Sequence, residues 1–475
     1  MLAIVSIKGG ARLDTFFDII GKISAWLWGP PLIIVLGATG LYLTVLLKFI
    51  QFRYPLYIFK QTIGSVFKKP KGEGTVTPLQ ALTFALSSTI GAANIVGVPA
   101  AIMFGGPGAV FWMWVIALIG MALKFSESVL AVRYREKNEK GEYVGGPMYY
   151  MTKGLNMRWL GVWFAFALMI ELIPSVMVQG NAVASTVEET FKVDGLITGI
   201  VVALIVVLIV FGGIKRIGKV TEIFVPFMAL IYVGSALVIL FMNIEAVPEF
   251  FSLILSHAFQ PMSAMGGFAG VAIAETIRWG FARGLYSNEA GLGTAPIAHA
   301  AAQTDHPVRQ GLWAIVGIVI DTIIVCTATA FVVLSSGVWT AENALDDPSA
   351  LTTEAFTNYF GEFGGILVTV SLIFFVLSTI IVIVFYGAKQ AEFLFGWKAA
   401  QGIKVVYTVA IVLGSVGAAK VIWQFLDLAL AAILIPNIIA VLLLSKEVKR
   451  LTNEFFTSEE YYLKDTGKVK EKKIS

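Results

Sequence analysis

Apolar residues fall in long runs from Ile19 to Leu444, separated by short clusters of charged, glycine and proline positions. A helix needs about 20 such residues to cross a ~30 Å hydrocarbon core. Read this way, the pattern predicts about eleven membrane-crossing helices. The first spans Ile19–Ile50, and ten more follow at Pro78–Met103, Gly108–Tyr134, Trp159–Thr190, Leu196–Phe211, Val220–Met242, Ser263–Ala298, Val308–Leu334, Gly364–Phe395, Ile403–Val416 and Val421–Ser445. No polar stretch long enough for a separate soluble domain remains. The chain reads as one all-α polytopic membrane protein.

Composition sharpens this picture. Of 475 residues, 57% are hydrophobic and 14% charged, and the mean hydropathy is +0.82, whereas soluble domains carry roughly 25% charge. The net charge of +4 is small for the length. Its lysines and arginines sit in short connecting loops, where they read as topology signals rather than nucleic-acid contacts. Lys468, Lys470, Lys472 and Lys473 read as a solvated tail. A single cysteine, Cys326, excludes a disulfide framework, and His257, His299 and His306 lack zinc-ligand spacing. Met1 to Asp18 is too polar and too weakly patterned to be a cleaved signal peptide.

Charge also sets an expected orientation. Arg53, Lys60, Lys68, Lys69 and Lys71 follow the first helix; Arg133, Arg135, Lys137, Lys140 and Lys153 form a second group; Lys215, Arg216 and Lys219 form a third. All three groups fall on one side of the predicted bundle. The segment Trp339 to Glu354 instead holds Glu342, Asp346, Asp347 and Glu354 with no basic residue. The positive-inside rule then predicts a multi-pass protein of the cell membrane with its N-terminus outside and its C-terminus in the cytoplasm. Lys8, Arg12, Lys22 and Lys420 run against that assignment.

Two of the ten later helices, the first and the sixth, carry helix-weakening stretches. One is Ser87-Ser88-Thr89-Ile90-Gly91-Ala92-Ala93-Asn94; the other holds Gly280, Gly284, Ser287, Asn288, Gly291 and Gly293. Lipid-exposed backbone cannot stay unpaired, so such stretches line a cavity or a close helix contact. A matched pair five helices apart points to an inverted-repeat transporter with its site near the midplane.

Several residues resemble chemistry without supplying it. Gly213-Ile-Lys-Arg-Ile-Gly218-Lys219-Val220 nearly spells a phosphate-binding loop, but Val220 replaces the Mg²⁺-binding hydroxyl and no strand precedes it. We read it as a tight basic turn, which leaves an ion gradient rather than ATP as the energy source. Gly105-Gly106-Pro107-Gly108 reads as a turn joining two helices. Lys124 and Glu127 are spaced to pair on one helix face. Glu171, Glu275, Asp321 and Asp427 have no evident partner, and each is open to reading as a proton relay or a satisfied structural carboxylate. No Ser/His/Asp or Cys/His grouping supports an enzyme.

The stretch Gly105-Gly106-Pro107-Gly108-Ala109-Val110-Phe111-Trp112-Met113-Trp114, continuing to Gly120, resembles the signature of the alanine or glycine:cation symporter family. Gly145-Gly146-Pro147-Met148-Tyr149-Tyr150 and the run from Gly284 to His299 resemble it too. The resemblance implies a LeuT-type five-plus-five inverted repeat, with residues 78–243 and 244–445 as the halves. Residues 1–77 then hold one extra helix and a cytoplasmic loop, and 446–475 a cytoplasmic tail. It implies Na⁺-driven uptake of a small neutral amino acid, alanine or glycine, by alternating access, with Na⁺ as coupling ion and no organic cofactor.

Carried residue by residue, the resemblance places an unwound segment at Asn94, with Thr89, Gly91, Ala92, Ala93 and Asn94 expected to bind the substrate. Amides of Ala92 and Ala93 would face the substrate carboxylate at a positive helix end, and the Thr89 carbonyl its ammonium. Ser378 and Thr379 resemble the paired hydroxyls of a shared Na⁺ site, completed by carbonyls of Ser87, Ile90 and Phe375. Hydroxyls bonding back to carbonyls four residues earlier would also account for Ser378 and Thr379. Gln179, with Ile277, Trp279, Gly280 and Phe281 at the break of the sixth helix, would form the far wall. Gln179 serves equally as polar glue between helices. No acidic ligand of a second Na⁺ site is evident, so one Na⁺ is expected. A proton-coupled amino-acid carrier using Glu171 or Asp321 and a membrane receptor that binds without transporting are the alternative readings.

Overall fold

In the computed structural model, residues 26–260, 269–341, 350–417 and 419–467 are described. Glu342, Asp346 and Asp347, the tail from Lys468, the N-terminal Lys8, Arg12 and Lys22, the predicted helix starts at Ile19 and Ser263, and the side chains of Lys420 and Asp427 lie outside the described residues.

Among the described residues the fold is all-helical apart from a hairpin in which β1 (Glu136–Lys137) pairs antiparallel with β2 (Tyr143–Val144). Helix α1 is Pro30–Leu46. The predicted Pro78–Met103 helix divides into α2 (Pro78–Thr89) and α3 (Val98–Gly105), bent by 51° across the break. Then come α4 (Ala109–Arg133), α5 (Arg158–Phe191), α6 (Gly195–Val210), α7 (Gly213–Met242) and α8 (Val247–Phe259). The predicted Ser263–Ala298 helix likewise divides, into α9 (Ala269–Asn288) and α10 (Ala295–Ala300). A span follows as α11 (Pro307–Ile318), a wide turn at Val319–Cys326 and α12 (Thr327–Ser336). The last are α13 (Leu351–Phe360), α14 (Glu362–Phe395), α15 (Trp397–Val416), α16 (Ala419–Leu443) and α17 (Ser445–Thr457).

Among the described residues, six helices are long and apolar enough to cross a membrane, and eight if each of two bent pairs is one span. Helices α1 and α6 are apolar but shorter. The expectation of about eleven counted every apolar run as a crossing, including α1 and α6, which are 17 and 16 residues long.

Local chemistry fixes the element ends. Thr77 and Gln80 form a reciprocal capping box with Pro78 in the first turn, so α2 starts sharply. Gly106, at φ +77°, ends α3 in the predicted Gly105–Gly108 turn. The basic turn expected at Gly213–Lys219 is instead helical, the first turns of α7. There Arg216 donates to the Leu208 carbonyl at 2.7 Å, covering an open end of α6. Helices α8, α13 and α17 were not expected. The last buries Val448, Leu451 and Phe455 and turns its charges outward, which makes it an amphipathic surface helix.

Two groups of helices pack side by side. Helix α4 lies against α9 and α11, while α5 lies against α14, α15 and α16; α2 touches α7, α10 and α14 between them. The basic loops converge on one face. Arg135 donates to carbonyls of Glu73, Ala300 and Ala302, and Gln80 Nε2 donates to Glu222 at 2.9 Å. On the other face α13 meets the Ala93–Gly97 turn that precedes α3, where Thr352 Oγ1 donates to the Ile95 carbonyl at 2.5 Å.

Candidate functional site

The two helix breaks meet at the centre of the molecule. Helix α2 ends at Ile90, whose backbone turns extended (φ −78°, ψ 99°), and Ala93–Gly97 then form a wide turn leading into α3. Asn94 organises the gap. Its Oδ1 accepts from the Gly91 amide at 3.0 Å, and its Nδ2 donates to Asp321 Oδ1 at 2.8 Å and Ser287 Oγ at 3.1 Å. Asp321 also accepts from Ser287 at 2.5 Å and Thr322 at 2.8 Å. With three donors, this carboxylate is a satisfied group that fixes the first break to α9 and the α11–α12 span. Asn94 therefore shapes the loop and points away from the open cavity.

The second break runs from Glu289 to Thr294, with positive φ at Glu289 (54°), Gly291 (94°) and Gly293 (79°). Lys124 and Glu127 of α4 reach its start and its middle. Lys124 Nζ donates to the Asn288 carbonyl at 2.6 Å, and Glu127 Oε2 accepts from the Gly291 amide at 3.3 Å. Asn437 of α16 donates to Glu127 and to the Gly291 carbonyl, and accepts from Tyr150. The spacing of Lys124 and Glu127 suggested a mutual pair; each binds the break instead, because broken backbone offers unpaired groups at both ends.

Ile277, Trp279, Gly280 and Phe281, expected at this break, lie two to three turns before it, within α9. A Cβ on Gly280 would strike the Ala109 carbonyl and Trp112, and one on Gly284 would strike Ile116. These glycines serve close packing of α9 on α4 and leave the helix intact. Trp279 stacks on Phe104 with ring centres 4.7 Å apart, and Phe281 faces Trp112 at 6.0 Å. None of the four lines the central cavity.

That cavity has a volume of about 470 Å³ and opens towards the face that carries α13. Ala92 and Ala93 of the first break, Gln179 of α5, Arg283 and Tyr286 of α9 and Leu372 of α14 line it, with Glu189 and Glu354 among its more distant walls. Gln179 Oε1 is enclosed and has no hydrogen-bond partner, which leaves an acceptor available beside the two alanines. Arg283 and Tyr286 were missed from the sequence; their signal was helical spacing of polar side chains before the true break.

Ser87, Phe375, Ser378 and Thr379 come together. Thr379 Oγ1 donates to the Ser87 carbonyl at 2.8 Å and the Phe375 carbonyl at 2.9 Å, and Ser378 Oγ to Phe375 at 2.8 Å. The back-bonds explain the hydroxyls locally, but Thr379 also bridges to the other helix. Gly91 completes the contact: a Cβ there would sit 3.1 Å from Thr379 Oγ1. All four are buried, and no charged side chain shares these bonds. Thr89, also buried, turns its hydroxyl back to Leu86 at 3.3 Å.

Comparison with known proteins agrees with this architecture. The sodium:alanine symporter family model matches residues 13–469. The chain is 70% identical over 455 residues to a Bacillus subtilis protein named uncharacterized transporter YflA, covering 96% of this chain and 97% of that one. It is 41% identical over 445 residues to the sodium/alanine symporter AgcS of Methanococcus maripaludis, covering 93% and 97%. Among solved structures, MhsT in complex with L-phenylalanine aligns with a TM-score of 0.56 at 15% identity, covering 78% of this chain and 89% of that one. That likeness shows a LeuT-like fold.

Proposed function

Because the chain belongs to the sodium:alanine symporter family, a family of transporters and not of enzymes, we propose that it couples inward Na⁺ flow to uptake of alanine, glycine or both. The observation that carries this reading is the Thr379–Ser87 bridge, which joins α14 to the last turn of α2, just before the first break and the cavity-lining Ala92 and Ala93.

Hard cations take about six oxygens, and carbonyls at helix breaks with hydroxyls can supply most of them without net charge. The carbonyls of Ser87, Ile90 and Phe375 with the hydroxyls of Ser378 and Thr379 would hold one Na⁺. Ala92 and Ala93 open the outer part of the broken helix, whose first amides lack intrahelical acceptors. They would receive the substrate carboxylate, with the Thr89 carbonyl and Gln179 Oε1 accepting from its ammonium. Arg283 and Tyr286 replace the aromatic wall expected around Trp279. Eleven crossings in a five-plus-five repeat plus α1, with the basic loops cytoplasmic, complete the reading, and the two packed groups of helices would move against each other in alternating access.

Uptake into proteoliposomes tests it. An inward Na⁺ gradient should drive alanine accumulation at constant pH. Accumulation driven by a pH gradient alone would favour proton coupling, and binding without counterflow would favour a receptor.

A further inference from the structure

Three carboxylates, Glu127, Glu289 and Asp321, stand around one ammonium, Lys124, at the helix breaks. Glu127 and Asp321 are occupied in holding backbone and Asn94, as described. Glu289 is different. It is the first residue beyond α9, and its carboxylate reaches across to α2, with Oε2 3.3 Å from Ser88 Oγ and 2.6 Å from Thr294 Oγ1.

Tyr386 of α14 supplies the second, independent observation. The residue is fully buried and its hydroxyl has no hydrogen-bond partner. Ser88 is beside it, with its own proton on the Ala85 carbonyl at 2.8 Å, so the phenol finds there at most a loose contact short of a full hydrogen bond, and Glu289 lies close by. A buried polar group left unpaired is costly, and this phenol oxygen beside Ser88 is free to meet a ligand. One carboxylate and three hydroxyls make an oxygen set suited to a hard cation.

Position gives the set a role. Ser88 directly follows Ser87 of the uncharged cage, and Tyr386 lies about 10 Å beyond Thr379 along α14, at a ~1.5 Å rise per residue. That direction leads to the end of α14 where Lys389 pairs with Glu392 at 2.8 Å, on the face of the basic loops. We propose that Glu289, Ser88, Thr294 and Tyr386 form a second, charged Na⁺ station through which the ion leaves the Ser378–Thr379 cage towards the basic face. The station rests on the Na⁺-coupled reading above and adds an exit step to it.

The test uses the full chain in proteoliposomes, with Na⁺ itself as probe, and the variants Tyr386→Phe and Glu289→Gln. Tyr386→Phe removes only the partnerless hydroxyl. Its melting temperature should be unchanged or higher, while the Na⁺ concentration for half-maximal alanine uptake rises roughly three- to tenfold, as loss of one ligand oxygen from a small site implies. Glu289→Gln should slow Na⁺-driven uptake about tenfold or more while Na⁺-dependent alanine binding at equilibrium, set at the cage, stays within about threefold. Wild-type uptake rates and Na⁺ dependence in both variants would overturn the station and leave symport standing. An equal loss of alanine binding in Glu289→Gln would also overturn it, since the residue would then act at the cage. Na⁺-independent uptake by the wild-type protein would instead sink the symport reading, and the station with it.

Discussion

The Lys124 ammonium donates to the carbonyl oxygen of Asn288 at 2.6 Å, at the point where α9 ends. A cation at a helix C-terminus complements the partial negative charge of unpaired carbonyls, and here it also faces Glu127, Glu289 and Asp321. Lys124→Met should therefore leave both a carbonyl and several buried carboxylates uncompensated. Removing one partner of buried charge typically costs about 3–5 kcal/mol, so a large fall in melting temperature of the detergent-solubilised protein is expected. Unchanged melting would mean the ammonium does not hold the break.

Two glycines should respond in opposite ways. Gly280→Ala places a methyl group against the Ala109 carbonyl and Trp112, where backbone cannot yield. Overpacking of this kind costs about 1–3 kcal/mol, and it should appear as lost stability with unaltered Na⁺ affinity in whatever protein folds. Gly91→Ala meets only Thr379 Oγ1 at 3.1 Å. It should fold normally and weaken Na⁺ activation of uptake; a purely structural defect there would count against the cage.

Much of this was legible in the sequence. Apolar runs fixed the class, and the small polar stretch Ser87–Asn94 located the first break to within a residue or two of the observed end at Thr89. Thr379 could be placed beside Ser87 only through the family resemblance, since no spacing rule joins residues 292 apart. The second break was misplaced because glycine has two uses in membrane helices. Gly280 and Gly284 permit close packing within a continuous helix, whereas Gly291 and Gly293 adopt left-handed backbone that ends one. Sequence alone does not separate them. Lys124 and Glu127 misled for a related reason: their spacing shows they share a face, but not what lies opposite.

His306, which caps α11 outside the apolar span, carries a pH prediction. Burial holds its imidazole down to about 4, from an ordinary 6.5. Its Nδ1 accepts from the Val308 amide at 3.2 Å, which requires a lone pair there, while Glu454 at 3.8 Å and Asp305 oppose the shift. The folded chain then binds fewer protons than the unfolded chain between those two values, so stability is complete above about pH 6.5 and declines as pH falls towards about 4. After allowance for solvent screening, the contribution is on the order of 1–2 kcal/mol. Melting curves at about pH 7.5 and about pH 5 should show a smaller difference in His306→Gln than in the wild type. Equal differences would assign the acid sensitivity elsewhere.

Coupling between ion and substrate follows from the first break, because Ser87 and Gly91 contact Thr379 while Ala92 and Ala93 line the cavity. Ordering this loop around Na⁺ sets the amides for a carboxylate, and ordering it around alanine sets the carbonyls for the ion. Linkage requires the two effects to be equal: Na⁺ must tighten alanine binding by the factor with which alanine tightens Na⁺, roughly 5- to 150-fold for a coupling of about 1–3 kcal/mol. Equilibrium titrations of purified protein, alanine at fixed Na⁺ and Na⁺ at fixed alanine, measure both factors without transport kinetics. Ser378→Ala combined with Thr379→Val removes two hydroxyls from the cage and should bring both factors close to one, with alanine affinity in sodium-free choline buffer left where it was. Alanine binding equally well with and without Na⁺ in the wild-type protein would show that the two ligands do not share this loop.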